Sequence, residues 1–160
     1  MSEDTRYSLE EAHPQFAKQA NGKVWGLLDK QARTKSDDEE MLHAAHASLF
    51  HWLHAGTGLH QQRGEWMISR VRAVLGNGPE SLRHAERCAE QTEEHAGLMQ
   101  DFDKAFSLEA IARAHALLGN GEEAARHIEI AQKAGDAIAD EEDRKVFHDD
   151  FKGGEWHGKM

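Results

Sequence analysis

Two stretches of the chain, LGNGPESLRHAERCAE at residues 75–90 and LGNGEEAARHIEIAQK at residues 118–133, share Leu, Gly, Asn, Gly, Glu, Arg, His and Glu at a constant offset of 43. The offset continues upstream, pairing Ile68 with Ile111, Arg70 with Arg113 and Ala73 with Ala116. The repeating unit is therefore a helix, a GNG turn and a second helix, an αα-hairpin used twice. Gly and Asn are suited to end a helix, and Pro79 directly after Gly78 stands in a first turn, where no intrahelical N–H bond is lost.

Outward from these hairpins the same rhythm persists. Apolar residues recur at three- and four-residue spacing, and no stretch alternates β-branched residues as a strand would. Glycines and capping residues at 32–38, 56–58, 76–78, 96–100, 119–121 and 135–140 punctuate the chain. Seven helices are predicted, at 9–31, 37–55, 58–75, 79–94, 101–118, 121–135 and 139–150. They group as hairpins 9–55, 58–94 and 101–135, followed by a C-terminal helix and an irregular tail, FKGGEWHGKM, that Phe151 and Trp156 could pin to a surface. Residues 9–55 show no match to the repeat, but two stacked hairpins alone would leave apolar faces open, so a third is expected there. A chain of 160 residues can bury a core without metal or disulfide, and one domain spanning 1–160 is expected.

Small residues fall at equivalent places in both copies: Ser69 and Ala112, Ser81 and Ala124, Cys88 and Ala131. They allow close helix approach while Ile68, Val71, Leu75 and Ile111, Leu117, Leu118 fill the space around them. Over residues 58–136 this pattern resembles the tetratricopeptide repeat. The period of 43 exceeds that family's 34, and its closing proline is missing, departures that longer first helices or linkers would explain. The resemblance implies an all-α, right-handed stack of antiparallel helix hairpins. The stretch from AAHASLFHW (44–52) through QRGEWMISRVRAVLG (62–76) also looks like a group of uncharacterised bacterial proteins, which implies no activity.

In a tetratricopeptide-like array the first helices line a concave groove for extended peptides or partner helices. Arg63, Trp66 and Arg70 recur at i, i+3 and i+7 on one first helix, and Phe106, Glu109 and Arg113 occupy the equivalent positions on the next. If these line one trough, Arg70 and Arg113 suit a carboxylate, with Trp66 and Phe106 as apolar anchors. On that view Arg113→Ala would weaken a carboxylate ligand and leave folding nearly unchanged. The competing arrangement pairs Arg70 with Glu109 across the stack and leaves Trp66 as core.

Five of the twelve histidines lie in MLHAAHASLFHWLHAGTGLH, residues 41–60. On a 3.6-residue helix Glu39, His43, His46, Phe50 and His54 fall within about 80° of one another. Helical rise allows one ion to take at most Glu39, His43 and His46 from this helix, with His60 or Glu65 as a further ligand from the next. Zinc or another divalent metal is the only cofactor this pattern suggests. Glu40-x-x-His43 has the form of the di-iron Glu-x-x-His element, but no second copy occurs. The alternative is a hydrogen-bonded boundary layer beside Leu42, Leu49 and Leu53. His84 and His127, equivalent in the repeat, are expected to share a packing or capping duty.

A formal charge of -10 argues against nucleic acid and anionic membranes as partners. No apolar run approaches the roughly 20 residues of a membrane span, Met1 to Leu9 has no secretion-signal character, and the lone Cys88, at a small-residue position, is expected to be buried and inert. A cytoplasmic location is expected. No phosphate-binding glycine loop or G-x-S-x-G turn is present, so catalysis has no support in the sequence. Three functions remain: an interaction module taking a protein, peptide, partner helix or carboxylate ligand in the groove, a metal-binding protein or metal-dependent enzyme built on Glu39, His43 and His46 with His60, and a structural homo-oligomer such as a homodimer.

Overall fold

A computed structural model describes residues 4–160. Its helices are α1 (Leu9–Leu28), α2 (Lys35–Ala55), α3 (Gly58–Val74), α4 (Gly78–Glu94), α5 (Asp101–Leu118), α6 (Gly121–Asp136) and α7 (Glu141–Lys152), with a short 3-10 turn at Ala96–Leu98. Among the described residues there is no strand. The helices begin where local chemistry starts them. Ser8 with Glu11 and Thr34 with Asp37 form reciprocal capping boxes, and Asn77 and Asp140 accept from the backbone N–H groups of Glu80 and Asp143.

Both GNG turns close the preceding helix identically. Gly76 and Gly119 take left-handed φ values of 81° and 77°. The amides of Gly76 and Asn77 donate to the carbonyls of Ala73 and Arg72, and those of Gly119 and Asn120 to Ala116 and His115. This is the Schellman arrangement, which a side chain would strain at the left-handed position. Gly78 has a different duty, because a Cβ there would sit 2.6 Å from the Leu118 side chain of the next hairpin.

The chain is an all-α stack of hairpins. The closest pairings are α1 with α2, α3 with α4 and α5 with α6, and successive hairpins meet through α2 with α3, α4 with α5 and α3 with α5. α7 packs on α5 and α6, in the place where the first helix of a fourth unit would stand. The small repeat residues are buried between helices. Ser69 and Ser81 each donate to the other's carbonyl, at 2.8 and 3.0 Å, where the third hairpin has Ala112 and Ala124. Cys88 is fully buried, and burial pushes its thiol up to about 12, which removes the reactive thiolate.

Two apolar clusters result. One joins α1, α2 and α3 through Val24, Leu27, Met41, Leu49, Met67 and Ile68; the other joins α5, α6, α7 and the tail through Ile128, Ile138, Phe147, Phe151 and Trp156. No helix of the described residues is long and apolar enough to cross a membrane.

Candidate functional site

The first helices α1, α3, α5 and α7 contribute to one cavity of about 490 Å3, within the range of small-ligand and side-chain pockets. Its aromatic wall is Trp25 from α1, Trp52 from the end of α2, Trp66 from α3, and Phe102 and Phe106 from α5. Trp25 and Trp66 stack at 6.0 Å, and Trp66 meets Phe106 edge-on at 5.4 Å. His60 lies flat on Trp52 at 4.2 Å, while its Nδ1 accepts from the Thr57 backbone N–H and so caps α3.

The six residues expected to line the groove separate by depth. Arg63, Trp66 and Phe106 line the cavity. Arg70, Glu109 and Arg113 lie beneath it as an ion network. Glu109 is fully buried and accepts from Trp66 Nε1 at 3.2 Å, from Arg70 Nη2 at 2.7 Å and from Arg113 Nε. Arg70 also grips Asp150 of α7 through two bonds of 3.1 and 2.7 Å. Burial pulls the Arg70 guanidinium down, but Glu109 and Asp150 overcome that and hold it firmly charged.

Arg113 donates through Nη2 to the carbonyls of Asp150 and Gly153 at 2.8 and 3.0 Å, and its guanidinium lies 4.2 Å from the centre of the Trp156 ring. The expectation that Arg70 and Arg113 present free forks to a carboxylate is therefore corrected. Arg70 spends Nη1 and Nη2 on Asp150 and Glu109, across the stack, and Arg113 spends Nε and Nη2 on Glu109 and the turn after α7. The expectation that Arg113→Ala would leave folding nearly unchanged falls with it, since the change would strip a buried carboxylate of a partner. The tail does fold back on Phe151 and Trp156, with Trp156 Nε1 donating to the Phe151 carbonyl at 2.9 Å, but it adds no lining residue to the aromatic cavity.

Among the cavity's lining residues the arginine is Arg63. It uses Nε and Nη2 on Asp103, at 2.8 and 3.1 Å, and lies 5.0 Å over Phe102. Gln62 is buried beside it, donating through Nε2 to Thr92 and to the Asp103 carbonyl, while its Oε1 has no partner. The cavity thus combines a broad aromatic wall, one half-exposed guanidinium and one unmatched acceptor. Trp25, Trp52, Phe102, Asp103 and Asp150 were not anticipated from the sequence.

The structure does not bring Glu39, His43, His46 and His60 together. His46 turns to His84, ring centres 5.7 Å apart, while His60 packs on Trp52. Glu39 and His43 are exposed. The one cluster of three or more His, Cys, Asp or Glu among the described residues whose ligand atoms all lie within 4.8 Å is elsewhere, at His115, Glu123 and His127. His84 and His127 do not share one duty: His84 Nδ1 is held 2.6 Å from Glu65 Oε2, whereas His127 Nδ1 lies 2.9 Å from the Glu123 carbonyl of its own helix. Compared with protein families, with curated proteins and with solved structures, the chain matches none.

Proposed function

We propose that the protein is a binding module whose groove along the first helices receives a peptide or partner helix carrying an aromatic or large aliphatic anchor residue. The observation that carries this is the lining of Trp25, Trp52, Trp66, Phe102 and Phe106, supplied by four helices around an open cavity. Large apolar side chains left accessible in a concave site are the pattern of an interaction hot spot. The tetratricopeptide likeness supports the same face, because such arrays present their first helices to partners. Specificity comes from the polar margin. Arg63, half-exposed and over Phe102, meets a ligand carboxylate or carbonyl.

Trp25 and Val146 are 40 and 61% exposed, so replacing them changes the groove and leaves the core intact. A peptide-display library panned against the wild type should return sequences with a Trp, Phe or Leu anchor, and binding should quench or shift the groove tryptophans' fluorescence. Trp25→Ala and Val146→Glu should each weaken those peptides by about tenfold or more, with little change in melting temperature. Failure to enrich any motif, or equal binding by both variants, would remove the proposal.

A second reading is a homodimer through the outer face of the first hairpin. Phe16 and Phe50 are 50 and 53% exposed there, packed against His51 at 5.4 Å each, whereas an end hairpin normally shows a polar face. Light scattering should then give twice the chain mass for wild type and the monomer mass for Phe16→Glu/Phe50→Glu; a monomeric wild type removes it.

A further inference from the structure

We propose that His115, Glu123 and His127 form a binding site for a zinc-class divalent cation across the GNG turn of the third hairpin. His115 stands in the last turn of α5, and Glu123 and His127 are one turn apart near the start of α6. One donor atom from each lies within 4.8 Å of the others, and the two imidazole centres are 5.7 Å apart. Two imidazoles and a carboxylate are a donor set that zinc accepts in tetrahedral geometry, leaving a fourth position to water or a small exogenous ligand.

The internal repeat supplies an independent comparison. The equivalent residues of the second hairpin are Arg72, Glu80 and His84. There Arg72 brings a fixed positive charge, Asn77 caps the following helix by accepting from the Glu80 N–H, and His84 Nδ1 is held by Glu65. Two of these features change in the third hairpin in the direction a cation site requires, while Arg126 pairs with Glu123 at 2.8 Å as Arg83 does with Glu80 at 2.9 Å, a partner the ion must displace. His115 replaces Arg72, so a ligand stands where a competing charge stood. Leu108 replaces Glu65, which frees the second histidine from a carboxylate partner.

Asn120, the counterpart of Asn77, makes no capping bond; its side-chain amide lies 3.1 Å from His115 Nδ1. Its Nδ2 donates to that ring nitrogen and so orients the imidazole. His127 Nδ1 lies 2.9 Å from the Glu123 carbonyl and donates to it. Each ring therefore has its orientation fixed through Nδ1, by Asn120 and by the Glu123 carbonyl. The strongly negative chain adds a general attraction for cations.

Titration of the metal-free protein with zinc sulfate, followed by calorimetry, tests this. One equivalent should bind saturably, and free zinc at about a hundred times Kd should raise the melting temperature by about 5–10 °C. His115→Arg, which restores the second hairpin's residue, should weaken binding by about a hundredfold while leaving the zinc-free melting temperature nearly unchanged. Glu123→Gln, at a solvent-facing carboxylate, should weaken it by about tenfold and keeps the test valid if another variant fails to fold. His13→Ala/His54→Ala alters the stacked histidines of the first hairpin, 4.8 Å apart, and should change nothing. No saturable one-to-one binding, or binding unchanged in His115→Arg and lost in His13→Ala/His54→Ala, would overturn the assignment.

Discussion

Glu109→Ala is expected to lower the unfolding free energy by about 3–5 kcal/mol, the usual result of breaking a buried ion pair by removing one partner. Glu109 is completely shielded from solvent and is the shared acceptor for Trp66, Arg70 and Arg113. With the carboxylate gone, two buried guanidinium groups retain Asp150 and a few main-chain carbonyls as partners, and the indole N–H of Trp66 has none. For a chain of this size the loss corresponds to roughly 10 °C in melting temperature, which thermal unfolding by circular dichroism would measure. Glu109→Gln keeps an acceptor oxygen and removes the charge, so it should fall between wild type and alanine. A loss below about 1 kcal/mol for alanine would mean that water reaches the arginines and the network is not sealed.

The same network accounts for what could and could not be read from the residues alone. Gly76, Asn77, Pro79 and Gly119 act through local backbone chemistry, and the predicted helix limits follow the observed ones to within about three residues. Arg63, Trp66, Arg70 and their counterparts on α5 share one helical face, and the spacing places all six toward the same side. Spacing does not encode depth. Whether a residue on that face is covered depends on what crosses it, and α7 and the tail cross it at Arg70 and Arg113 with Asp150 and Trp156, partners 80 and 43 residues away in sequence.

The histidines show the same limit. Angular proximity on α2 grouped Glu39, His43 and His46, but a metal site depends on distances between helices, and the neighbouring side chains there are His84 and Trp52. The signal for His115, Glu123 and His127 was already in the repeat alignment, in the exchange of Arg72 for His115 and Glu65 for Leu108. It lay in the differences between the copies, whereas the fold lay in their identities.

Phe147→Ala is expected to cost a further about 3–5 kcal/mol, as buried Phe-to-Ala truncations do, and to act on one end of the molecule. Phe147 is fully buried, edge-on to Phe106 at 4.9 Å and stacked on Phe151 at 5.5 Å, and its ring passes so close to Gly135 that a Cβ there would lie 2.2 Å away. A twelve-residue helix has little stability alone, so α7 owes its order to this docking. Hydrogen exchange should then rise through residues 141–156, which release the carbonyls gripping Arg113, while the amides of α3 and α4 stay protected. Val146 and Asp150 are carried on the same helix and form one side of the aromatic cavity. Peptides selected for the groove should therefore bind Phe147→Ala more weakly than the stability loss alone explains at temperatures where it remains folded. Uniform exchange across all seven helices, with peptide affinity intact, would show that α7 is not a separable wall of the site.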